Sequence, residues 1–289
     1  MTGELPFPRI ALLGTGLIGG SFGLAVRRAF PEAAIVGWDR PEALERAAAR
    51  GAVTETATDL ALAVAGADLV YVALPVGAIL DNLPAISRAA APSAMVTDAG
   101  STKAAICRAA AREFTRGARF IGGHPIAGRE SSGIESADAE LFRGAHYVLV
   151  GEEDSRSARL AQFLKTALGV ESQWMDAETH DWATAIVSHL PQMLAVALAS
   201  VVLDETDETD GSGLPLSLAG PALRDVARLA GSPYSMWRDI CLTNGDNIGR
   251  ALDRITQAID HLRRNLGSRE LEKEFAAANS VYNSLHKMD

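Results

Sequence analysis

The chain has 289 residues, of which 48% are hydrophobic and 22% charged, with a formal net charge of −9. This is the composition of a folded globular protein long enough for two domains, and it excludes a disordered chain. The acidic balance also argues against a nucleic-acid partner, which needs clustered Lys and Arg, and it obliges any anionic substrate to meet a local positive pocket.

The N-terminal stretch MTGELPFPRIALLG lacks the basic segment and small-residue cleavage site of a leader and reads as the approach to a first strand. Apolar, β-rich runs follow at 10–14, 34–39, 68–75, 94–100, 120–123 and 147–151, separated by alanine-rich helical stretches. Their hydrophobicity is continuous rather than alternating, which predicts strands covered on both faces in a parallel, doubly wound α/β sheet. Beyond about Met175 the strand pattern stops and helices are predicted over 177–204, 223–229, 236–261 and 268–285. The expected division is therefore 1–175, a Rossmann-like nucleotide-binding domain, and 176–289, an all-helical domain. The acidic segment 204–220 reads as a solvated inter-helix loop. The apolar stretch Ala185–Leu203 is interrupted by His189, Pro191 and Gln192, so a buried or interfacial helix is expected there rather than a membrane span. The run 194–203 is apolar all round and needs cover on every side, for which a second subunit is the expected source.

The first strand runs into Gly14-Thr15-Gly16-Leu17-Ile18-Gly19, a GxGxxG turn opening a helix. Gly14 permits the tight turn, Gly16 lets backbone approach a pyrophosphate, and Gly19 lets helix and strand pack closely. Asp39 ends the next strand, about 20 residues on, where a carboxylate binds adenosine ribose hydroxyls. A carboxylate there repels a 2′-phosphate, which favours NAD; Arg40 beside it leaves NADP open. Leu74, Pro75 and Val76, after the third strand, are expected to border the same cofactor. Cys107 and Cys241 have no CxxC spacing, and the histidines form no metal-ligand pattern. No metal or disulfide is expected, and a reducing cytoplasm fits.

Gly122-Gly123-His124-Pro125-Ile126-Ala127-Gly128, followed by Glu130, Ser132 and Gly133, resembles the GxHPIAGxExSG signature of the prephenate/arogenate dehydrogenase family. Further matches in family order are Asp98-Ala99-Gly100-Ser101-Thr102-Lys103, Ser188-His189-Leu190-Pro191, Asp225-x-x-Arg228 and Ser235-Met236-Trp237-Arg238-Asp239-Ile240. The resemblance implies an NAD-dependent oxidative decarboxylation of prephenate on the route to tyrosine, or of arogenate, in a homodimer joined through the helical domains. It implies that His124 contacts the ring hydroxyl of the substrate, where a neutral imidazole accepts a hydrogen bond that strengthens in the transition state. Ser101 is implied at the same hydroxyl and the nicotinamide, although it suits equally the cap of a helix starting at Thr102. Arg228 is implied as the fork for a substrate carboxylate, with His189 in the substrate pocket and Trp237 as a candidate wall.

Two positions depart from the family pattern. Gln192 stands where members that prefer prephenate often carry a second histidine, and Arg129 stands where a threonine often follows the signature. Both are expected near the substrate side chain, Arg129 as a second carboxylate contact and Gln192 as a hydrogen-bonding amide, so prephenate and arogenate both stay open. His146, His180, His261 and His286 read as structural or surface residues. A β-hydroxyacid dehydrogenase would need a lysine in the helical half, yet none lies between Lys165 and Lys273. A nucleotide-sensing protein without catalysis is disfavoured by His124, Ser101 and Arg228 occurring together.

Overall fold

In the computed structural model, which describes residues 5–115, 117–129, 131–208 and 213–286, the apolar runs become strands of one sheet. In chain order the first part is β1 (Arg9–Leu13), α1 (Leu17–Ala29), β2 (Ala34–Trp38), α2 (Pro41–Ala49), β3 (Glu55–Thr56), α3 (Leu60–Val64), β4 (Leu69–Val72), α4 (Val76–Ala89), β5 (Met95–Asp98) and α5 (Ala104–Glu113). It continues with β6 (Arg119–Pro125), β7 (His146–Val150), α6 (Ser155–Leu168) and β8 (Glu171–Trp174). The strand order is β3-β2-β1-β4-β5-β6-β7-β8. Side chains alternate between faces along a strand: Ile10 and Leu12 join one core, with Phe22, Tyr71 and Phe163, while Ala11 and Leu13 join the other, with Val70, Val72 and Val96. Two cores explain why the strands read as unbroken apolar runs.

The sheet is not wholly parallel. β6 and β7 pair antiparallel, His124 opposite Val148. A parallel return needs a crossover, usually a helix; the described part of the 126–145 connection holds only the short 3₁₀ turn Ile134–Ser136, so the chain doubles back. The two strands that the hydropathy pattern did not suggest, β3 and β8, are the sheet's edges, and their mixed or exposed residues carry no apolar run.

The helices that follow are α7 (Ala177–Thr184), a π-helical turn (Ala185–His189), α8 (Leu190–Glu208), α9 (Leu214–Ser217), α10 (Pro221–Ala230), α11 (Tyr234–Arg264) and α12 (Glu270–Leu285). Pro191 offers no N–H and its ring crowds the carbonyl one turn earlier, which accounts for the widened turn just before it. The acidic segment is not all loop: α8 extends to Glu208 and α9 occupies Leu214–Ser217, while 209–212 lie outside the described residues. Asp204 and Glu205 stay exposed, so charge alone did not break the helix there. The run Ala177–Thr206 is long and apolar enough to cross a membrane by length and composition. However, His180, Asp181, His189 and Gln192 along it are buried within the protein. Val196, Leu198, Val201 and Leu203 face outward, so the single chain leaves uncovered part of the helix expected to be buried all round.

Residues Met1–Gly245 form one compact unit and Asp246–Asp289 a second. The second contains the end of α11 and α12, where His261 lies 3.3 Å from Glu274 and His286 stacks on Tyr282.

Candidate active site

The strand order reverses between β1 and β4, and ligands of open α/β sheets bind at such switch points, beyond the carboxyl ends of the strands. The glycine turn follows β1 there. Gly14 has φ +91°, and a Cβ on it would sit 2.4 Å from the Ala73 carbonyl oxygen. A Cβ on Gly19 would sit 1.9 Å from the Gly14 oxygen, so α1 packs directly on the turn. Gly16 has nothing within 4 Å of its Cβ position, and as N-cap of α1 it brings no side-chain hydrogen bond. The first N–H groups of α1 and the open space before them fit the pyrophosphate of a dinucleotide. Leu17 and Ile18 form the first turn of α1. Leu74 flanks Gly14, Pro75 is the N-cap of α4 and Val76 is buried. Asp39 accepts hydrogen bonds from the Thr15 N–H at 2.7 Å and its hydroxyl at 3.0 Å, both to Oδ2, and from the Arg40 N–H at 2.7 Å to Oδ1. The carboxylate that sequence assigned to ribose also ties the turn to the end of β2.

β5 and β6 deliver the second half of the site. Asp98, at the end of β5, accepts hydrogen bonds from the N–H groups of Gly100 (2.8 Å) and Gly123 (3.0 Å) and pairs with the Lys103 ammonium. Both charged side chains are fully buried. A buried pair of this kind survives because each charge is matched and hydrogen-bonded, and removing one partner costs about 3–5 kcal/mol. It holds the 99–103 loop, which carries half-buried Ser101, against β6. Ser101 does not cap the next helix, as one sequence reading allowed. α5 starts at Ala104, and Asp181 of α7 receives its free amides, from Lys103 N at 2.6 Å and Ala104 N at 2.9 Å.

His124 is half-buried on β6, at the carboxyl edge of the sheet. Its Nδ1 lies 2.8 Å from Nε2 of His180, whose own Nδ1 lies 2.8 Å from Asp181 Oδ1. Among the described residues nothing engages His124 Nε2. Desolvation, reinforced by His180, Lys103 and His189, holds His124 well below the usual imidazole range, so it is neutral at physiological pH. His189 is buried and pushed down to about 4, first by desolvation and then by His180, against the pull of Asp181. Burial works against the Asp181 carboxylate, but hydrogen bonds from His180 and the Lys103 and Ala104 amides outweigh it and keep Asp181 below its ordinary value.

Asn244 joins this cluster from α11. Its backbone leaves helical geometry (φ −128°, ψ 21°) and its amide donates to the Asp181 carbonyl at 2.7 Å and lies 3.2 Å from His189 Nδ1. The Trp237 ring meets His189 edge-on at 5.7 Å between centroids, and its buried indole N–H has no hydrogen-bond partner among the described residues. His124, His189 and Trp237 are thus brought together. Gln192 is buried three residues after the π turn. Arg129 instead pairs with Asp138 at 2.6 Å, and Arg228 is exposed on α10. Glu130 lies outside the described residues. Sequence reasoning missed His180, Asp181, Lys103, Asp98 and Asn244 as parts of this arrangement. His180 had been grouped with His146, His261 and His286 because no spacing to other ligands marked it.

Residues 22–174 match the family model described as the prephenate dehydrogenase nucleotide-binding domain, and 176–278 match its dimerization domain. The chain belongs to the prephenate dehydrogenase family. It is 32% identical over 266 residues to the prephenate dehydrogenase of Lactococcus lactis, an alignment covering 91% of this chain and 72% of that protein. The Aquifex aeolicus prephenate dehydrogenase, solved with hydroxyphenyl propionate and NAD+, superposes with a TM-score of 0.86 at 28% identity over the full length of both chains. Synechocystis arogenate dehydrogenase superposes with a TM-score of 0.79 at 31% identity, covering 96% of this chain and 99% of that one. Relatives acting on two related substrates therefore share this architecture.

Proposed function

We propose that the chain is an NAD-dependent prephenate dehydrogenase, converting prephenate to 4-hydroxyphenylpyruvate, CO2 and NADH in tyrosine biosynthesis. The observation that carries this reading is the neutral His124, with Nε2 unengaged, at the same sheet edge as the glycine turn. Family membership and the Aquifex relative's ligands support it. The turn residues Gly14 to Gly19, with Asp39, Leu74, Pro75, Val76 and Ser101, hold NAD, which when bound supplies the acceptor for the hydride from C4. His124 Nε2 accepts the hydrogen bond of the C4 hydroxyl and draws its proton as positive charge develops at that carbon. Ser101 orients the same hydroxyl. Arg228 takes a substrate carboxylate in its fork. Arg129 offers a second cation once released from Asp138, and His189, Gln192 and Trp237 shape the pocket.

Functionally, 1–175 binds the nucleotide and 176–289 supplies the substrate pocket and dimer contact. A second copy of the chain covers the outward apolar positions of α8, in keeping with the family's dimerization domain, and the enzyme works in the cytoplasm. Gln192 favours a second reading, arogenate or dual specificity, because a neutral amide hydrogen-bonds a keto or an amino side chain. The deciding experiment follows reduced-nicotinamide absorbance with prephenate and with arogenate, each with NAD and NADP. Turnover of prephenate with NAD is expected; turnover of arogenate alone would transfer the assignment to the second reading, and turnover of neither would remove both.

A further inference from the structure

We infer that His180 and Asp181 make His124 the outer end of a directional proton relay, so that the proton drawn from the substrate hydroxyl ends as positive charge on His180. This rests on the functional reading above, but its geometric half does not.

The direction follows from counting hydrogens. An ionised carboxylate only accepts, and Asp181 is held ionised by the Lys103 and Ala104 amides. At 2.8 Å, His180 Nδ1 must therefore be the donor to Asp181 Oδ1. A neutral imidazole carries one N–H, which leaves His180 Nε2 as an acceptor. His124 Nδ1, 2.8 Å from that atom, must in turn donate. His124 Nε2 is then bare and faces outward from the chain of hydrogen bonds. The carboxylate thus fixes, two hydrogen bonds away, the tautomer that a hydroxyl-binding base requires.

In the reaction the hydroxyl O–H bond breaks as an N–H bond forms at His124 Nε2. The Nδ1–H bond of His124 breaks as one forms at His180 Nε2. The O–H electron pair stays on the ring oxygen while hydride leaves C4 for NAD. When CO2 leaves C1, its bonding pair flows through the ring to that oxygen, which recovers its proton by the same path in reverse. No proton is gained or lost overall. The charge is better placed on His180 than on His124 because of the groups around each. Asp181 touches His180 directly, whereas His124 has no carboxylate partner among the described residues and faces the Lys103 ammonium, itself paired to Asp98; the remaining titratable neighbour, His189, is neutral. His180 is 1% exposed, so no water competes for either bond. His180 is accordingly a positioning and proton-holding residue that acts through His124.

Two measurements test this. In the wild-type protein labelled with 15N-histidine, the imidazole shifts should show His124 protonated at Nδ1 and bare at Nε2; the opposite tautomer would overturn the relay whether or not prephenate is a substrate. His180→Gln keeps an acceptor for His124 but cannot hold the proton. Its kcat for prephenate should fall about 10- to 100-fold, part of the contribution usual for acid–base groups, with KM and NAD affinity unchanged. A kcat equal to that of the wild type would reduce His180 to packing. Failure of the wild type itself to turn over prephenate would count against the functional reading and leave the tautomer to judge the relay.

Discussion

The glycine turn and the histidine cluster lie at the same edge of the sheet but are made in opposite ways. The turn is local: six consecutive residues, Gly14 to Gly19, with a tie from Asp39, set its shape, and Gly14 and Gly19 are each required by a backbone oxygen within the turn or beside it. The cluster is assembled from β6, the 99–103 loop, α7, the π turn and α11, and its charges are balanced only when all are in place. A short, self-contained motif shows in a sequence, whereas a constellation held by distant partners shows only as separate residues.

Substitutions should separate the two regions. The largest effect is expected from His124→Ala, which should lower kcat by about 10³-fold, within the range for a lost acid–base group, while NAD binding measured by nicotinamide fluorescence quenching persists. Loss of NAD binding in that variant would show that the cluster and the turn are not separable. Next, Gly19→Ala places a methyl group 1.9 Å from the Gly14 oxygen. Because α1 must move off the turn, NAD affinity should weaken about 100-fold, a change of about 2.7 kcal/mol, with the histidine tautomers unchanged. Affinity equal to wild type would mean that the turn yields more easily than its close packing indicates.

The smallest effect is on stability in acid. His124 and His189 have folded values below their unfolded ones, so between about pH 6.5 and 4 the unfolded chain binds protons that the folded chain refuses. Stability is therefore full above about pH 6.5 and falls as the pH drops. For His189 the loss at pH 5 is about 2 kcal/mol, at 1.36 kcal/mol per unit. The urea midpoint should drop accordingly between pH 7 and pH 5, and less so in His189→Asn. An identical slope in that variant would place the acid sensitivity elsewhere.

Much of this was legible in the residues. The α/β half followed from unbroken apolar runs, the turn from its spacing, and His124 from a signature in a chain of matches. The antiparallel return into β7 was not legible, because hydrophobicity reports that a strand is buried but not which way it runs. The edge strands β3 and β8 lacked an apolar pattern altogether. In the site, His180 and Asp181 are neighbours in sequence with no motif to mark them. Lys103 sat inside a recognised motif without any sign that it was buried, since only the position of Asp98 across the loop makes a fully desolvated ammonium tolerable.

By itself, then, the sequence determined the fold class, the nucleotide turn and the family, all of which rest on patterns within short stretches of chain. Only the tertiary structure decided how His124 is polarised, which helix Asp181 caps, and that Asn244 breaks α11 to reach His189. Hydrogen bonds and buried charges are interactions of about 3 Å, and which groups come that close across 55 to 78 residues of chain is settled by packing rather than by spacing.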